Sequence, residues 1–111
     1  MPAEPRMTLQ TQAVLAVLLE DISAGSYGLE ISKQAKLPSG TIYPILARLQ
    51  RAGWVTSAWE DIDPAKEGRP ARRIYRLTSS GAERARQAQV ETMRRIAPRW
   101  DSALGLGGTS L

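Results

Sequence analysis

The chain has 111 residues, 15 Lys and Arg against 11 Asp and Glu for a net charge of +4, and neither His nor Cys. That length fits one compact domain rather than two, and the two missing residue types exclude disulfides, thiolate and imidazole catalysis, and zinc sites built on His or Cys. No apolar run approaches the roughly 20 residues of a membrane span, the opening MPAEPRMTLQ lacks a signal-peptide pattern, and the positive balance suits a polyanionic partner.

Residues 1–7 hold two prolines and read as a loose arm. Thr8 is then placed to cap a helix in which Leu9, Ala13, Val14, Val17, Leu18 and Ile22 recur at spacings of three and four. Leu15 and Ala16 widen that apolar surface beyond what one neighbour covers. Gly25 and Ser26 break the pattern, and Ser26 can cap a second helix over 27–36 that buries Leu29 and Ile31. After the turn Leu37-Pro38-Ser39-Gly40, a third helix capped by Ser39 or Thr41 sets Ile42, Ile45, Leu46 and Leu49 on one buried stripe. Its opposite face carries Thr41, Tyr43, Arg48 and Arg51. Pro44 sits early enough to forfeit a single first-turn bond, and Gly53 ends the helix in a left-handed cap.

Residues 54–60 and 71–77 read as strands, the second with Arg73, Tyr75 and Leu77 alternating against Arg72, Ile74 and Arg76, and with Tyr75 and Leu77 turned inward. The loop between them, DIDPAKEGRP, is too long for a tight hairpin. A last helix starts at 78–80, where Ser80-x-x-Glu83 fits a capping box, and runs to about Ala97 before Pro98 interrupts it. The Gly-rich end, LGLGGTSL, reads as a flexible tail.

The predicted fold is therefore mainly α with a β-hairpin (α+β): a winged helix-turn-helix followed by a long C-terminal helix. It divides into a flexible arm (1–7), the winged helix-turn-helix domain (8–81), a C-terminal helix (78–100) overlapping its end, and a tail (101–111). In that arrangement the third helix enters a DNA major groove and the loop between the strands lies along the backbone.

An enzyme is not expected. Without His or Cys, no nucleophile and base stand at an informative spacing, and neither a GxGxxG motif nor a P-loop is present. Glu60, Asp61, Asp63 and Glu67 lack the EF-hand pattern and read as a solvated acidic loop, so no metal or cofactor is expected. The basic residues, by contrast, cluster. Between Lys33 and Arg76 nine bases face four acids, an excess of five that exceeds that of the whole chain. Arg48 and Arg51 lie on the third helix, and Lys66, Arg69, Arg72 and Arg73 at the wing, where phosphate contacts release counterions. Ser39, Thr41 and Tyr43 stand where hydroxyls and free helix N–H groups reach phosphates or base edges, although Ser39 and Thr41 would serve equally as caps.

Several motifs also form a pattern in order: Tyr27-Gly28, Leu37-x-Ser39-Gly40-Thr41-Ile42-Tyr43-Pro44-x-Leu46-x-Arg48-Leu49, Gly53-x-Val55, Gly68-Arg69-Pro70, Arg72-Arg73-x-Tyr75-x-Leu77-Thr78 and Gly81. This pattern resembles the PadR family of bacterial transcriptional regulators. Ile74 departs from it, since relatives often have an aromatic there. The resemblance implies a cytoplasmic, nucleoid-associated homodimeric repressor that binds palindromic double-stranded DNA operators and releases them on a small-molecule or other signal. It places DNA contacts on Ser39, Thr41, Tyr43, Arg48, Arg69, Arg72 and Arg73. It further implies dimerisation of short members through the C-terminal helix and the first helix, and a flat aromatic or hydrophobic effector held at that interface, where Met93 or Trp100 would line the pocket.

The dimer has independent support. Ala82, Ala85, Gln89, Met93, Ile96 and Trp100 make a stripe on a helix of about twenty residues, roughly 30 Å long, whose distal half outruns a small domain. Leu9, Ala13 and Val17 on the first helix of a second copy would cover it, unless the distal half folds back on its own chain. The alternative to DNA binding is a winged helix used for protein–protein contact.

Overall fold

The computed structural model describes residues 4–103, with side chains through Ala97. Helix α1 runs Leu9–Glu20, and the Thr8 side chain caps it by accepting from the Thr11 N–H at 3.1 Å. Its wide apolar surface is largely used within the chain, since Val14, Leu15, Val17 and Leu18 are all buried. Ahead of it, Met7 packs against the core and Glu4 pairs with Arg84, so the described part of the arm lies along the last helix.

Ser26 does not cap a helix. Ser26–Tyr27 form a short strand, β1, and helix α2 begins after it, Gly28–Ala35. Two residues are too few for a periodic signal, so the strand exists only through its pairing. Ile31 is buried as expected, but Leu29 is 67% exposed, because an eight-residue helix turns one face inward and Leu29 lies off it. Lys36 closes α2 in the left-handed region at φ 57°.

Helix α3 spans Ser39–Arg51, and all four stripe residues, Ile42, Ile45, Leu46 and Leu49, are buried. Pro38 occupies the N-cap position, so neither Ser39 nor Thr41 caps the helix and both hydroxyls are released from that duty. At the other end Gly53, at φ 81°, donates to the Gln50 carbonyl while the Trp54 N–H reaches that of Leu49. This double closure is the Schellman arrangement.

Strands β2 (Val55–Trp59) and β3 (Arg73–Leu77) pair antiparallel, and β1 joins the other edge of β3, giving the order β1-β3-β2. The connection between β2 and β3 is not all loop: a one-turn helix, α4, occupies Pro64–Glu67, capped by Asp63, which accepts from the Ala65 N–H at 3.0 Å.

Helix α5 extends Ser79–Ala103. Its cap is Thr78, which accepts from the Gly81 N–H at 2.9 Å, rather than a Ser80–Glu83 box. It also continues through Pro98, where a proline forfeits one backbone bond and bends a helix without ending it. Gly81 is required at its start, since a Cβ there would strike the backbone of Trp54. That close approach seats Ala82 and Ala85 on a core completed by Trp54, Val55, Tyr75 and Leu77.

Candidate nucleic-acid interface

Packing Ile42, Ile45, Leu46 and Leu49 inward leaves Ser39, Tyr43, Arg48 and Arg51 exposed on α3, with Thr41 half-buried. Tyr43 is 44% exposed and its ring rests on the start of α2. Gly28 is what allows this, because a Cβ at that position would run into the Tyr43 ring and hydroxyl. Tyr43 is therefore both a surface residue and the brace between the two helices.

The wing is organised by Glu60. Both its oxygens accept from Arg69, at 2.7 and 3.1 Å, and Oε1 also accepts from the Arg72 N–H at 2.8 Å. The Arg69 hydrogen bonds hold the Glu60 carboxyl at about 2, well below its ordinary 4.5. The sequence offered Glu60 as one of several solvated acids and Arg69 as a phosphate contact. In the fold they clamp the two ends of the loop together, so the charge of Arg69 is already met. Arg76 is held in place by another bond, donating through Nε to the Ser23 carbonyl at 2.8 Å, a neutral acceptor that leaves its charge unmatched.

Arg72 and Arg73 differ from Arg69. Neither pairs with a carboxylate among the described residues. The Arg72 guanidinium lies 4.2 Å from the centroid of the Tyr27 ring, and that of Arg73 lies 5.8 Å from the centroid of Trp59. Together with Tyr43 and Tyr75 these residues line a groove of about 300 Å³ between the helices and the wing. Lys66 is exposed on α4. The structure thus brings Tyr43, Arg72 and Arg73 to one groove.

Trp59, Ser57 and Gln50 carry no site signal in the sequence, and Tyr27 stands out there only through the Tyr27-Gly28 motif. The alternation of β2 places Ser57 and Trp59 on one face, but which face depends on the register with β3.

Beyond the groove, Val90, Met93 and Ile96 stand 51%, 56% and 42% exposed on α5, and Gln89, Val90, Met93, Arg94 and Ala97 line a hollow of about 490 Å³. Val90 was missing from the predicted stripe. Of the α1 residues expected beside it, Leu9 is 77% exposed, Ala13 is half-buried and Val17 is buried in the chain's own core. The Thr92 hydroxyl donates to Gln12 Oε1 at 2.7 Å, holding α5 against α1. The Trp100 side chain lies outside the described residues. Among the described residues no cluster of potential metal ligands occurs and no helix is long and apolar enough to cross a membrane.

The pattern that defines the transcriptional regulator PadR-like family matches residues 14–87. No curated protein matches the chain. Among solved structures, a Streptococcus mutans protein is similar over 99% of this chain and 100% of its own, with 24% identity and a TM-score of 0.72. A PadR family transcription regulator from Clostridium difficile matches over 87% of this chain and 99% of its own, with 22% identity and a TM-score of 0.68. NadR, solved in complex with 4-hydroxyphenylacetate, matches over 90% of this chain and 65% of its own, with 22% identity and a TM-score of 0.64.

Proposed function

The chain belongs to the PadR-like family of transcriptional regulators, and from that premise we propose that it is a homodimeric repressor that binds a palindromic operator in double-stranded DNA. The observation that carries this reading is the convergence of α3 and the wing. Tyr43, Arg72 and Arg73 line one groove, and Arg48 and Arg51 are exposed on the same helix as Tyr43. Cations with no carboxylate partner, set beside a helix whose polar face is clear, match a duplex that offers phosphates around a readable major groove. Ser39 and Thr41, relieved of capping, are available at the N-terminus of α3. Arg48, Arg51, Arg72, Arg73 and Lys66 supply the phosphate contacts, while Arg69 contributes mainly by shaping the wing.

Dimerisation through α5 and α1 is supported by the exposed Val90, Met93, Ile96 and Leu9, which a second copy would cover. A small aromatic or hydrophobic effector at that interface would meet Met93 and Trp100 and release the operator, as a change in dimer geometry alters half-site spacing. NadR, with its bound 4-hydroxyphenylacetate, is one structural neighbour that holds such a molecule. The protein would act in the cytoplasm on the nucleoid. Footprinting the purified protein on the DNA around its own gene tests the reading: a protected palindrome is the expected result. Absence of any protected segment at low salt, with the protein folded, would favour a winged helix used for protein–protein contact instead.

A further inference from the structure

The sheet face that closes the core does not stop at the core. Register sets Val55 opposite Leu77, Ser57 opposite Tyr75 and Trp59 opposite Arg73, so all six side chains share one face. Val55, Tyr75 and Leu77 are buried, yet Trp59 at the outer end is 65% exposed. An indole held out on a strand that could have placed it inward is apolar surface waiting for cover.

A chain of hydrogen bonds fixes the cation beside it. Arg73 Nε donates to Ser57 Oγ at 2.9 Å, and the Ser57 hydroxyl donates to Gln50 Oε1 at 3.3 Å. Gln50 belongs to α3, so the direction of a wing guanidinium is tied to the helix that reads bases. On the opposite wall Arg72 is spread over Tyr27. The groove between them thus alternates ring surface with positive charge.

Resting on the DNA-binding reading, we infer that this groove is a cradle for one sugar–phosphate strand of the duplex. The Trp59 ring packs against a deoxyribose, and Arg72 and Arg73 take phosphates of the same strand. Ser57 and Gln50 are positioning residues that hold Arg73 in register with α3. A nucleic-acid strand alternates an apolar sugar face with an anionic phosphate, which is the complement of this surface. A strand passing between α3 in a major groove and the wing beside it would cross here.

The experiment is a titration of the operator duplex, followed by anisotropy over a salt series, with thermal melts of each variant. Arg73→Ala should weaken binding about tenfold and flatten the slope of log affinity against log salt by about one per half-site. Ser57→Ala keeps the charge, so it should weaken binding about threefold to tenfold with the slope intact. It should add nothing once Arg73→Ala is present. A merely structural Ser57 would instead give effects that multiply, which overturns the positioning role. Trp59→Ala should weaken binding about tenfold through the apolar ring surface left uncovered, with Trp59→Phe restoring most of the loss. If Trp59→Ala does not fold, 5-fluorotryptophan labelling of the wild-type chain serves in its place. The Trp59 fluorine resonance, assigned with Trp59→Phe, should move when duplex is added while that of Trp54 stays. An unmoved Trp59 resonance, or wild-type affinity in Trp59→Ala, overturns the cradle. Wild-type protein that binds no duplex defeats the DNA reading itself, whereas Arg73 dependence with neutral Ser57 and Trp59 variants defeats only the cradle.

Discussion

The ring of Tyr43 lies so close over Gly28 that no side chain larger than hydrogen fits between α3 and α2. This contact braces α2 against α3 beside the core packing of Ile31 and Ile42. Gly28→Ala should cost about 1–3 kcal/mol by overpacking, read as a lower melting temperature, and should weaken operator binding by displacing the ring. In a Tyr43→Ala background the same substitution should cost far less, since the obstacle is gone. A double-mutant cycle on thermal melts checks this.

Glu60 ties the wing to acidity. Its carboxyl stands at about 2 in the folded protein against 4.5 without its partners, a lowered value. The stability it provides is therefore fully present above about 4.5 and is lost as pH falls toward about 2. Glu60→Gln should melt below wild type at neutral pH, and the gap should close through that window. A gap that stays constant on acidification would refute the clamp.

The arginines should separate by role. Arg48→Ala and Arg72→Ala should each weaken DNA binding across all sequences and flatten the salt slope by about one per half-site. Arg69→Ala should lower the melting temperature while moving the slope less, because Glu60 already meets its charge. Arg95→Ala, on the far side of α5 from Met93 and away from the groove, should leave affinity unchanged. Anisotropy titrations at several salt concentrations distinguish the three outcomes.

Met93 and Ile96 should decide the oligomeric state. Both are exposed within one chain, so the Met93→Asp, Ile96→Asp double variant should keep the fold of the domain. Sedimentation should then find a dimer for the wild type and a monomer for the variant, and operator affinity should fall with the loss of the second half-site. Identical sedimentation of the two proteins would remove the α5 interface.

Lys36 carries backbone strain at φ 57°. Lys36→Gly relieves it and should stabilise the domain by up to about 1 kcal/mol, a rise of a few degrees in melting temperature. No rise would mean that the lysine side chain compensates for its conformation.

The amino-acid sequence by itself determined the four longer helices, the two wing strands and the exclusions, but not the one-turn α4 or the extension of α5 past Pro98. The period of Ile42, Ile45, Leu46 and Leu49, the stop at Gly53 and the alternation ending in Tyr75 and Leu77 are local signals, because a helix or strand buries one face whose spacing is written along the chain. The lack of His and Cys is equally local. Tertiary structure decided which cations are spent and which face outward. Arg69 is paired with Glu60, the Arg76 guanidinium is held by the Ser23 carbonyl with its charge unmatched, and Arg73 is aimed by Ser57. It also decided that Ser26–Tyr27 is a strand, that Thr78 rather than Ser80 caps α5, and that Trp59 stands beside Arg73. Apart from the Thr78 cap, which reaches Gly81 three residues on, each of these depends on register or on partners outside the local window, as with Arg76 and Ser23, 53 residues apart. A net charge of +4 is a sum over residues; a binding surface is the part of that sum which folding leaves without an internal partner.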